Sequence, residues 1–258
     1  MSMNIGDLTI ANLCIGSQQV LSACLGTDVV WPTEIPAGLP SKPFLFNYNA
    51  KRYVPLTATI GMEQGQLFNH DITLDGSRVD AYPDYLYFTG VTPFRQCYNS
   101  YLDNPFNRTS ADCQFTFIYK TKDYQNAGNN KLFANRKVMS DGQSKYDCHN
   151  YLIASNDVYG FDGSFAPTNN PQYVVIRAFP DNSGLRQEVD ASGNTIQSAA
   201  TASVAWDDPS AGFAFFGGGC NYNGSNESFK SKFYWMYCAN QTLTDAEVLQ
   251  VIRYNENM

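Results

Sequence analysis

Near its C-terminal end the chain reads Phe233-Tyr-Trp-Met-Tyr-Cys-Ala-Asn-Gln-Thr-Leu-Thr-Asp-Ala-Glu-Val-Leu-Gln-Val-Ile-Arg-Tyr254. Its first residues are aromatic and apolar, which favours a strand. Thr244-Asp-Ala-Glu247 then matches a capping box, in which the threonine hydroxyl accepts a first-turn amide and the glutamate reaches back to the cap amide. Val248, Val251 and Ile252 follow at helical spacing. The segment therefore predicts a core strand, a short polar connection and one closing helix.

The composition favours an all-β protein with one large domain. The 258 residues include 17 Tyr and 17 Phe, and only 16% are charged. Aromatic side chains suit pleated surfaces, and this length is enough for one sizeable β-sandwich with a small appendage. The net charge of −7 argues against nucleic acid as a partner, because phosphate binding needs a concentrated basic surface. A membrane span is not expected either, since no run of about 18 apolar residues occurs.

The cysteines and the N-terminus give expectations about the compartment. Seven cysteines are scattered without a Cys-x-x-Cys pair, so we expect buried reduced thiols and not a disulfide framework. The first residues, Met1-Ser-Met-Asn-Ile-Gly-Asp7, show neither the basic nor the apolar part of a secretory signal. We therefore expect no signal peptide.

Short apolar runs separated by Gly, Asn, Asp and Pro clusters fill the chain from Phe44 onward. Such spacing is typical of sandwiches and jelly rolls. In the run at 113–120, Cys113, Phe115, Phe117 and Tyr119 fall on one face. The predicted strands are residues 85–89, 113–120, 131–134, 151–154, 173–179, 212–216 and 232–238.

The order of these runs resembles the concanavalin A-like, laminin-G-like jelly rolls. The resemblance is carried by Phe115-Thr-Phe117 before Lys131-Leu-Phe133, by Phe213-Ala-Phe-Phe-Gly-Gly218 before the last strand, and by Leu243-Thr-Asp-Ala-Glu247. It spans roughly residues 80–254. The resemblance implies an all-β sandwich with one short C-terminal helix, on a fold that more often holds sugars or proteins than transforms them.

An internal near-repeat occupies the first thirty residues. Ala11-Asn-Leu-Cys-Ile-Gly-Ser-Gln-Gln-Val20 is echoed by Leu21-Ser-Ala-Cys-Leu-Gly-Thr-Asp-Val-Val30. The pattern predicts a meander of strands at 8–15, 19–25 and 29–31, which is too small to be stable alone. It resembles the N-terminal modules of tailed-phage structural proteins, although Cys14 and Cys24 stand where an aromatic is more usual.

That resemblance implies attachment to a virion and self-association, with a homotrimer as the expected assembly. The expected interface residues are Leu13, Ile15, Val20, Leu25, Val30 and Trp31. The alternative is that these strands pack on the protein's own sandwich. Four prolines at positions 32–43 predict a semi-rigid spacer. The expected domains are thus 1–32 for attachment, 33–43 as linker and 44–258 as jelly roll.

Catalytic and metal-binding patterns are weak throughout the sequence. Glu188-Val-Asp190 is the nearest approach to a paired carboxylate, but the following Ala-Ser-Gly-Asn favours the start of a polar hairpin. Cys148 and His149 are adjacent and would point to opposite faces of a strand. Asp/Asn loops such as Asn156-Asp157 and Asp207-Asp208 could supply oxygens to Ca²⁺, although ordinary turns are the favoured interpretation. We expect no catalytic residue and no cofactor.

Three loops carry the chemistry of sugar recognition, which combines an exposed ring with amides and carboxylates. The candidate carbohydrate-binding residues are Tyr159, Phe161, Trp206, Asp207, Tyr222 and Asn223. We therefore expect a non-enzymatic virion protein, a head or tail fibre or decoration protein, that displays a jelly roll for adhesion to a glycan or host surface. The alternatives are a glycoside hydrolase or lyase, a purely architectural capsid or tail protein, and a bacterial surface glycan-binding protein.

Overall fold

The structure is a computed structural model of the 258-residue chain. It describes residues 14–15, 18–19, 23–25, 28–31, 35–63, 71–74, 79–89, 96–98, 114–123, 131–136, 152–154, 158–159, 172–181, 183–201, 212–216 and 230–258. Within these residues the protein is an antiparallel β-sandwich with a single C-terminal helix, as the sequence predicts.

The N-terminal strands form two separate two-stranded sheets. The strands are β1 (Cys14–Ile15), β2 (Gln18–Gln19), β3 (Ala23–Leu25) and β4 (Asp28–Trp31). β1 pairs with β2 and β3 pairs with β4, and neither pair joins a larger sheet in the described residues. Gly16-Ser17 and Gly26-Thr27 separate the paired strands, a length that suits tight hairpins. Each copy of the near-repeat is thus one hairpin, and the predicted strand at 19–25 is divided between β2 and β3.

The remaining described strands form the sandwich, and one helix closes it. They are β5 (Phe44–Val54), β6 (Thr59–Met62), β7 (Ile72–Thr73), β8 (Val79–Ala81), β9 (Leu86–Thr89), β10 (Gln96–Tyr98), β11 (Phe115–Lys122), β12 (Lys131–Arg136), β13 (Leu152–Ala154), β14 (Val158–Tyr159), β15 (Tyr173–Ala178), β16 (Gly184–Val189), β17 (Thr195–Thr201), β18 (Gly212–Phe215), β19 (Lys230–Ala239) and α1 (Asp245–Asn257). The strands predicted from Phe44 onward are confirmed to within two residues at each end.

The strands are arranged in a large sheet and a small sheet. The large sheet runs β17-β16-β15-β11-β19-β5-β6-β7, with β9 also pairing with β19, and β8 pairing with β9. The small sheet runs β10-β18-β12-β13-β14. β19 is central because β11 borders one side of it, while β9 and β5 border its two halves on the other side.

Both faces of the large sheet are buried along its centre. Because successive residues point to opposite faces, Phe117 and Tyr119 join a core towards the small sheet, while Ile118 points to the helix. Phe216, which follows β18, stacks on Phe88 with ring centroids 4.5 Å apart and so joins the two sheets. On the other face, α1 packs its predicted apolar stripe, Val248, Val251 and Ile252, against the large sheet. The result is three layers.

The helix begins as the capping box predicts. The Thr244 hydroxyl accepts the Glu247 amide at 3.3 Å, and the Glu247 carboxylate accepts the Thr244 amide at 2.8 Å. Leu243, at the staple position, is buried against the same core as the helix. Both bonds of the cap join residues only three positions apart, so the local sequence is sufficient to predict them.

The described part of the predicted 33–43 linker, from Ile35 onward, contacts the sandwich. Leu39 is buried in the core beneath the helix, and Ile35 packs against that core. Lys42 forms an ion pair of 2.9 Å with Glu247 in the first turn of α1. These contacts do not decide where the domains divide, so the boundaries at 32 and 43 stay predictions.

Candidate functional site

Beyond the C-terminal end of α1, the outer face of the large sheet carries a cluster of tyrosines and lysines. We call it the tyrosine–lysine face and define it by Tyr82, Tyr85, Lys120, Lys232 and Tyr234. The face is built where β9, β19 and β11 lie side by side. Its side chains point away from the small sheet because their neighbours in the strands fill the inner core.

A β-bulge sets the direction of Tyr234. Lys120 pairs with Trp235, whereas the next residue, Thr121, pairs with Phe233, so Tyr234 is the extra residue of β19. Phe233 lies in the core between the two sheets, whereas Tyr234 and Trp235 both pack in the core between the large sheet and the helix. A bulge re-aims a side chain in this way at the cost of one ladder pair.

Three tyrosine rings form a short column on this face. Tyr82 and Tyr85 stack with centroids 4.6 Å apart and ring planes 17° apart, and Tyr85 lies 5.5 Å from Tyr234. The stack follows from the backbone, because the Tyr82 amide donates to the Tyr85 carbonyl at 3.0 Å and closes a hairpin tipped by Pro83-Asp84. Tyr82 is 47% exposed. The column therefore presents a ring to solvent.

Two lysines are held over these rings by carboxylates. Lys232 Nζ lies 5.2 Å from the Tyr85 centroid and 2.5 Å from an Asp123 oxygen. The hydrogen bond to Asp123 is the main reason that the pKa of Lys232 is raised. Lys120 Nζ lies 4.8 Å from the Tyr234 centroid. Both ammonium groups sit within cation–π distance of tyrosine.

Glu256, in the last turn of α1, holds the side chains at the edge of the face that lies next to the helix. Its carboxylate accepts the Trp235 indole N–H at 2.7 Å and Lys120 Nζ at 2.6 Å. The pKa of Tyr173, whose ring also lies under Lys120, is raised mainly by burial and further by the charge of Glu256 and the hydrogen bond to it. The end of the helix and the position of Lys120 are therefore coupled.

Taken together, the tyrosine–lysine face offers ring surface beside charged donors and acceptors. Such a surface can hold a ligand that is apolar on one side and rich in hydroxyl or charged groups at its rim. Of the described carboxylates near the face, Asp123 and Glu256 are in ion pairs with its lysines, and Asp84 lies at the tip of the hairpin that carries Tyr82 and Tyr85.

A buried carboxylate outside the face, that of Glu63, has a structural role. It is 7% exposed and accepts the Tyr254 hydroxyl at 2.7 Å and Arg52 Nη2 at 2.5 Å. Asn49 Nδ2 donates to the Asn255 carbonyl at 3.1 Å nearby. These bonds join the last turn of α1 to β5 and to the residue after β6.

The structure bears on few of the loop residues predicted to bind carbohydrate. The backbone of Tyr159 forms part of β14, but its side chain lies outside the described residues. The other five predicted residues also lie outside them: Phe161, Trp206, Asp207, Tyr222 and Asn223. Their assignment to a binding site stays a prediction.

The predicted attachment residues, and the loops considered as alternative calcium ligands, lie only partly within the described residues or outside them. The backbones of Ile15, Leu25, Val30 and Trp31 lie in the N-terminal strands β1, β3 and β4, whereas Leu13 and Val20 are outside the described residues. The Asp/Asn loops at 156–157 and 207–208 are outside them too. In the part of the chain that is described, no group of three or more His, Cys, Asp or Glu side chains could hold a metal ion.

The hairpin interpretation of Glu188-Val-Asp190 is confirmed. Asp190 accepts the amides of Ser192 and Asn194, both at 2.8 Å, and so closes the turn between β16 and β17. A hydrogen bond from the Asn194 side chain, and then these backbone bonds, lower the pKa of Asp190. Glu188 is 2% exposed on the strand and accepts Gln197 Nε2 at 2.7 Å.

The tyrosine–lysine face is not among the predicted sites, which all lie in loops, because its lysines and Tyr234 lie in strands. A signal is present in two segments, Tyr85-Leu-Tyr87 and Lys230-Ser-Lys232-Phe-Tyr234, where tyrosine or lysine alternates with Leu, Ser or Phe. Such alternation indicates that one face of a strand is in the core and the other reaches solvent.

No family model matches the sequence, and no curated protein matches it. Solved structures are similar in fold. A Trypanosoma rangeli sialidase in complex with sialic acid matches with a TM-score of 0.53 and 13% identity, over 87% of this chain and 35% of that chain. The same sialidase in complex with 2,3-difluoro-KDN gives a TM-score of 0.50 and 12% identity, over 86% and 36%.

A Ruminococcus gnavus IT-sialidase CBM40 bound to α2,3-sialyllactose matches with a TM-score of 0.39 and 16% identity, over 66% of this chain and 96% of that chain. The chain spans about a third of the length of the T. rangeli sialidase chains. At these identities the likeness shows the fold alone. The class that the fold and site define is a β-sandwich protein with an aromatic and cationic surface on its large sheet.

Proposed function

We propose that this protein binds carbohydrate without transforming it, and that the tyrosine–lysine face is the binding surface. The observation that carries the proposal is the exposed ring of Tyr82, stacked on Tyr85 and bordered by Lys232 with its partner Asp123. A pyranose has apolar C–H faces and a rim of hydroxyl groups. It can therefore lie on the ring while its hydroxyls reach the lysine and the carboxylate.

The state of the carboxylates supports binding over hydrolysis. Most glycoside hydrolases use two carboxyl groups that are free to act as acid and as base or nucleophile on either side of the scissile bond. Asp123 and Glu256 instead each neutralise a lysine. Because each is held at 2.6 Å or less, proton transfer to a substrate would first require breaking an ion pair.

In the same proposal the sandwich is displayed on the particle of a tailed phage, after assembly in the cytoplasm of the host. The support is the near-repeat of residues 11–30 and the two small sheets that it forms. A two-stranded sheet is marginal on its own, so these hairpins need a surface to cover them. A virion protein is the surface we propose.

The test is a panel of immobilised neutral and acidic glycans probed with the full-length protein and with Tyr82→Ala. Removing about 50 Å² of ring contact at about 25 cal/mol per Å² should cost about 1.2 kcal/mol, about an eightfold rise in Kd. Leu56→Ala is the matched control, because Leu56 is 98% exposed on the hairpin between β5 and β6 and outside the face. Tyr82→Trp should retain binding.

Two results would contradict the proposal. Unchanged affinity in Tyr82→Ala and in a Lys232→Ala variant would show that sugars bind elsewhere, for example at the loops of Trp206 and Tyr222. Release of a shortened oligosaccharide by the wild-type protein would show that it is an enzyme.

A further inference from the structure

The edge strands of the two sheets differ sharply in length. Most edges that the structure describes are short: β7 and β14 have two residues, and β8 and β10 have three. β17, at the end of the large sheet, has seven. Its sequence, Thr195-Ile-Gln-Ser-Ala-Ala-Thr201, contains no charged residue and no proline.

Those features leave the outer edge of β17 ready to pair. Proteins normally protect edge strands by keeping them short, by placing charges or prolines in them, or by covering them. Thr195, Ile196, Ser198 and Ala200 are exposed, and Ile196 is 51% exposed. Among the described residues, no strand pairs with the outer edge of β17, and its own sequence carries neither a charge nor a proline to protect it.

We propose that β17 pairs antiparallel with β17 of a second copy of this chain, about a two-fold axis near Ser198. The large sheets of the two protomers then become one continuous sheet. A two-fold contact requires a self-complementary surface. β17 meets that requirement in its side chains as well as in its backbone.

The complementarity comes from the order of large and small residues. With Ser198 on the axis, Ile196 of one protomer lies opposite Ala200 of its partner, and Gln197 lies opposite Ala199. Each large side chain therefore meets a small one on the same face, and both pairs occur twice. Directly opposite side chains are the unit of sheet stabilisation.

The charge distribution favours a second copy at this edge. Two chains that each carry a net charge of −7 repel across most of their surfaces. β17 brings no charge to the contact, whereas β8 would bring Asp80 at its centre. The inference is independent of the proposed sugar binding, because the tyrosine–lysine face lies on β9, β11 and β19.

The test is the mass of the full-length protein in solution across the micromolar range, measured by light scattering after size exclusion. We expect twice the 28.7 kDa of one chain. Ser198→Lys places two ammonium groups opposite each other and should raise the dimer Kd at least about tenfold. Ser192→Lys is the matched control, because Ser192 is exposed in the hairpin before β17 and outside the pairing. It should leave the dimer unchanged.

A charge swap separates lost pairing from lost folding. Ser198→Glu should also be monomeric alone, and an equimolar mixture of Ser198→Lys and Ser198→Glu should restore the dimer. A wild-type monomer, or an oligomer whose mass does not respond to Ser198→Lys, would overturn the inference. A trimer insensitive to that change would instead favour self-association through residues 1–32.

Discussion

Replacing Glu256 with alanine tests how firmly the end of α1 is joined to the large sheet. The change removes the acceptor of the Trp235 indole N–H at 2.7 Å and the partner of Lys120 Nζ at 2.6 Å. Trp235 is 1% exposed, so water cannot reach the abandoned donor without rearrangement of the core. The Lys120 ammonium can turn towards solvent, where hydration replaces part of the free energy of the lost ion pair.

The magnitude follows from these two unequal contributions. A buried donor left without an acceptor costs about 1–3 kcal/mol. The ion pair, whose side chains are 15% and 33% exposed, adds roughly 0.2–1 kcal/mol. We therefore expect Glu256→Ala to lower the free energy of unfolding by about 1–4 kcal/mol. Glu256→Gln keeps an oxygen for the indole, so it should lose only the ionic part, about 1 kcal/mol or less.

The assay is urea denaturation followed by circular dichroism, with Asn257→Ala as the control on the adjacent exposed position. A double-mutant cycle with Trp235→Phe isolates the indole bond, because phenylalanine has no donor to leave unsatisfied. Glu256→Ala should then cost at least about 1 kcal/mol less in the Trp235→Phe background. Equal losses for Glu256→Ala and Glu256→Gln, or no coupling to Trp235, would refute the reasoning.

Two further predictions concern the two ends of the same helix. Burial, and then the hydrogen bond to Glu63 and its charge, raises the pKa of Tyr254 to about 12, above the value near 10 of an unfolded chain. The stability that this raised pKa contributes is complete below about pH 10 and is lost as the pH rises towards about 12. In urea titrations the stability difference between wild type and Tyr254→Phe should therefore shrink over that range. A difference that stays constant would contradict this prediction. Thr244→Ala should lower stability by about 0.5–2 kcal/mol while Thr244→Ser retains it, and equal melting curves for the two variants would show that the cap contributes nothing.

The sequence was most informative where the structure depends on local chemistry. Both bonds of the capping box form between Thr244 and Glu247, which are three residues apart, so no distant contact is needed to predict them. Strand positions were also predictable, because the alternation in Phe115-Thr-Phe117 requires one face to be buried. The near-repeat likewise predicted that strands flank its two glycine turns. It did not predict that the two strands of each copy pair with each other and not with the strands of the other copy.

The tyrosine–lysine face could not be predicted in the same way. Lys120 and Tyr234 lie 114 positions apart in the sequence and meet only because β11 pairs with β19 in one register. A shift of that register by one residue would send these side chains to the opposite face. The direction of Tyr234 depends further on the bulge opposite Lys120, which no single-strand pattern reveals.

The same geometry explains why one half of the outer face can serve as a binding surface while the other half cannot. The helix covers the sheet as far as Trp235, and Glu256 then ends the covered part with a charge that holds Lys120 over Tyr234. On the far side Asp123 holds Lys232 over Tyr85, so both ammonium groups are held over rings before any ligand arrives. Because a ligand need not bear the cost of ordering them, even a small contact area can give useful affinity. Through Glu256 the helix thus both stabilises the fold and preorganises the Lys120 side of the proposed binding surface.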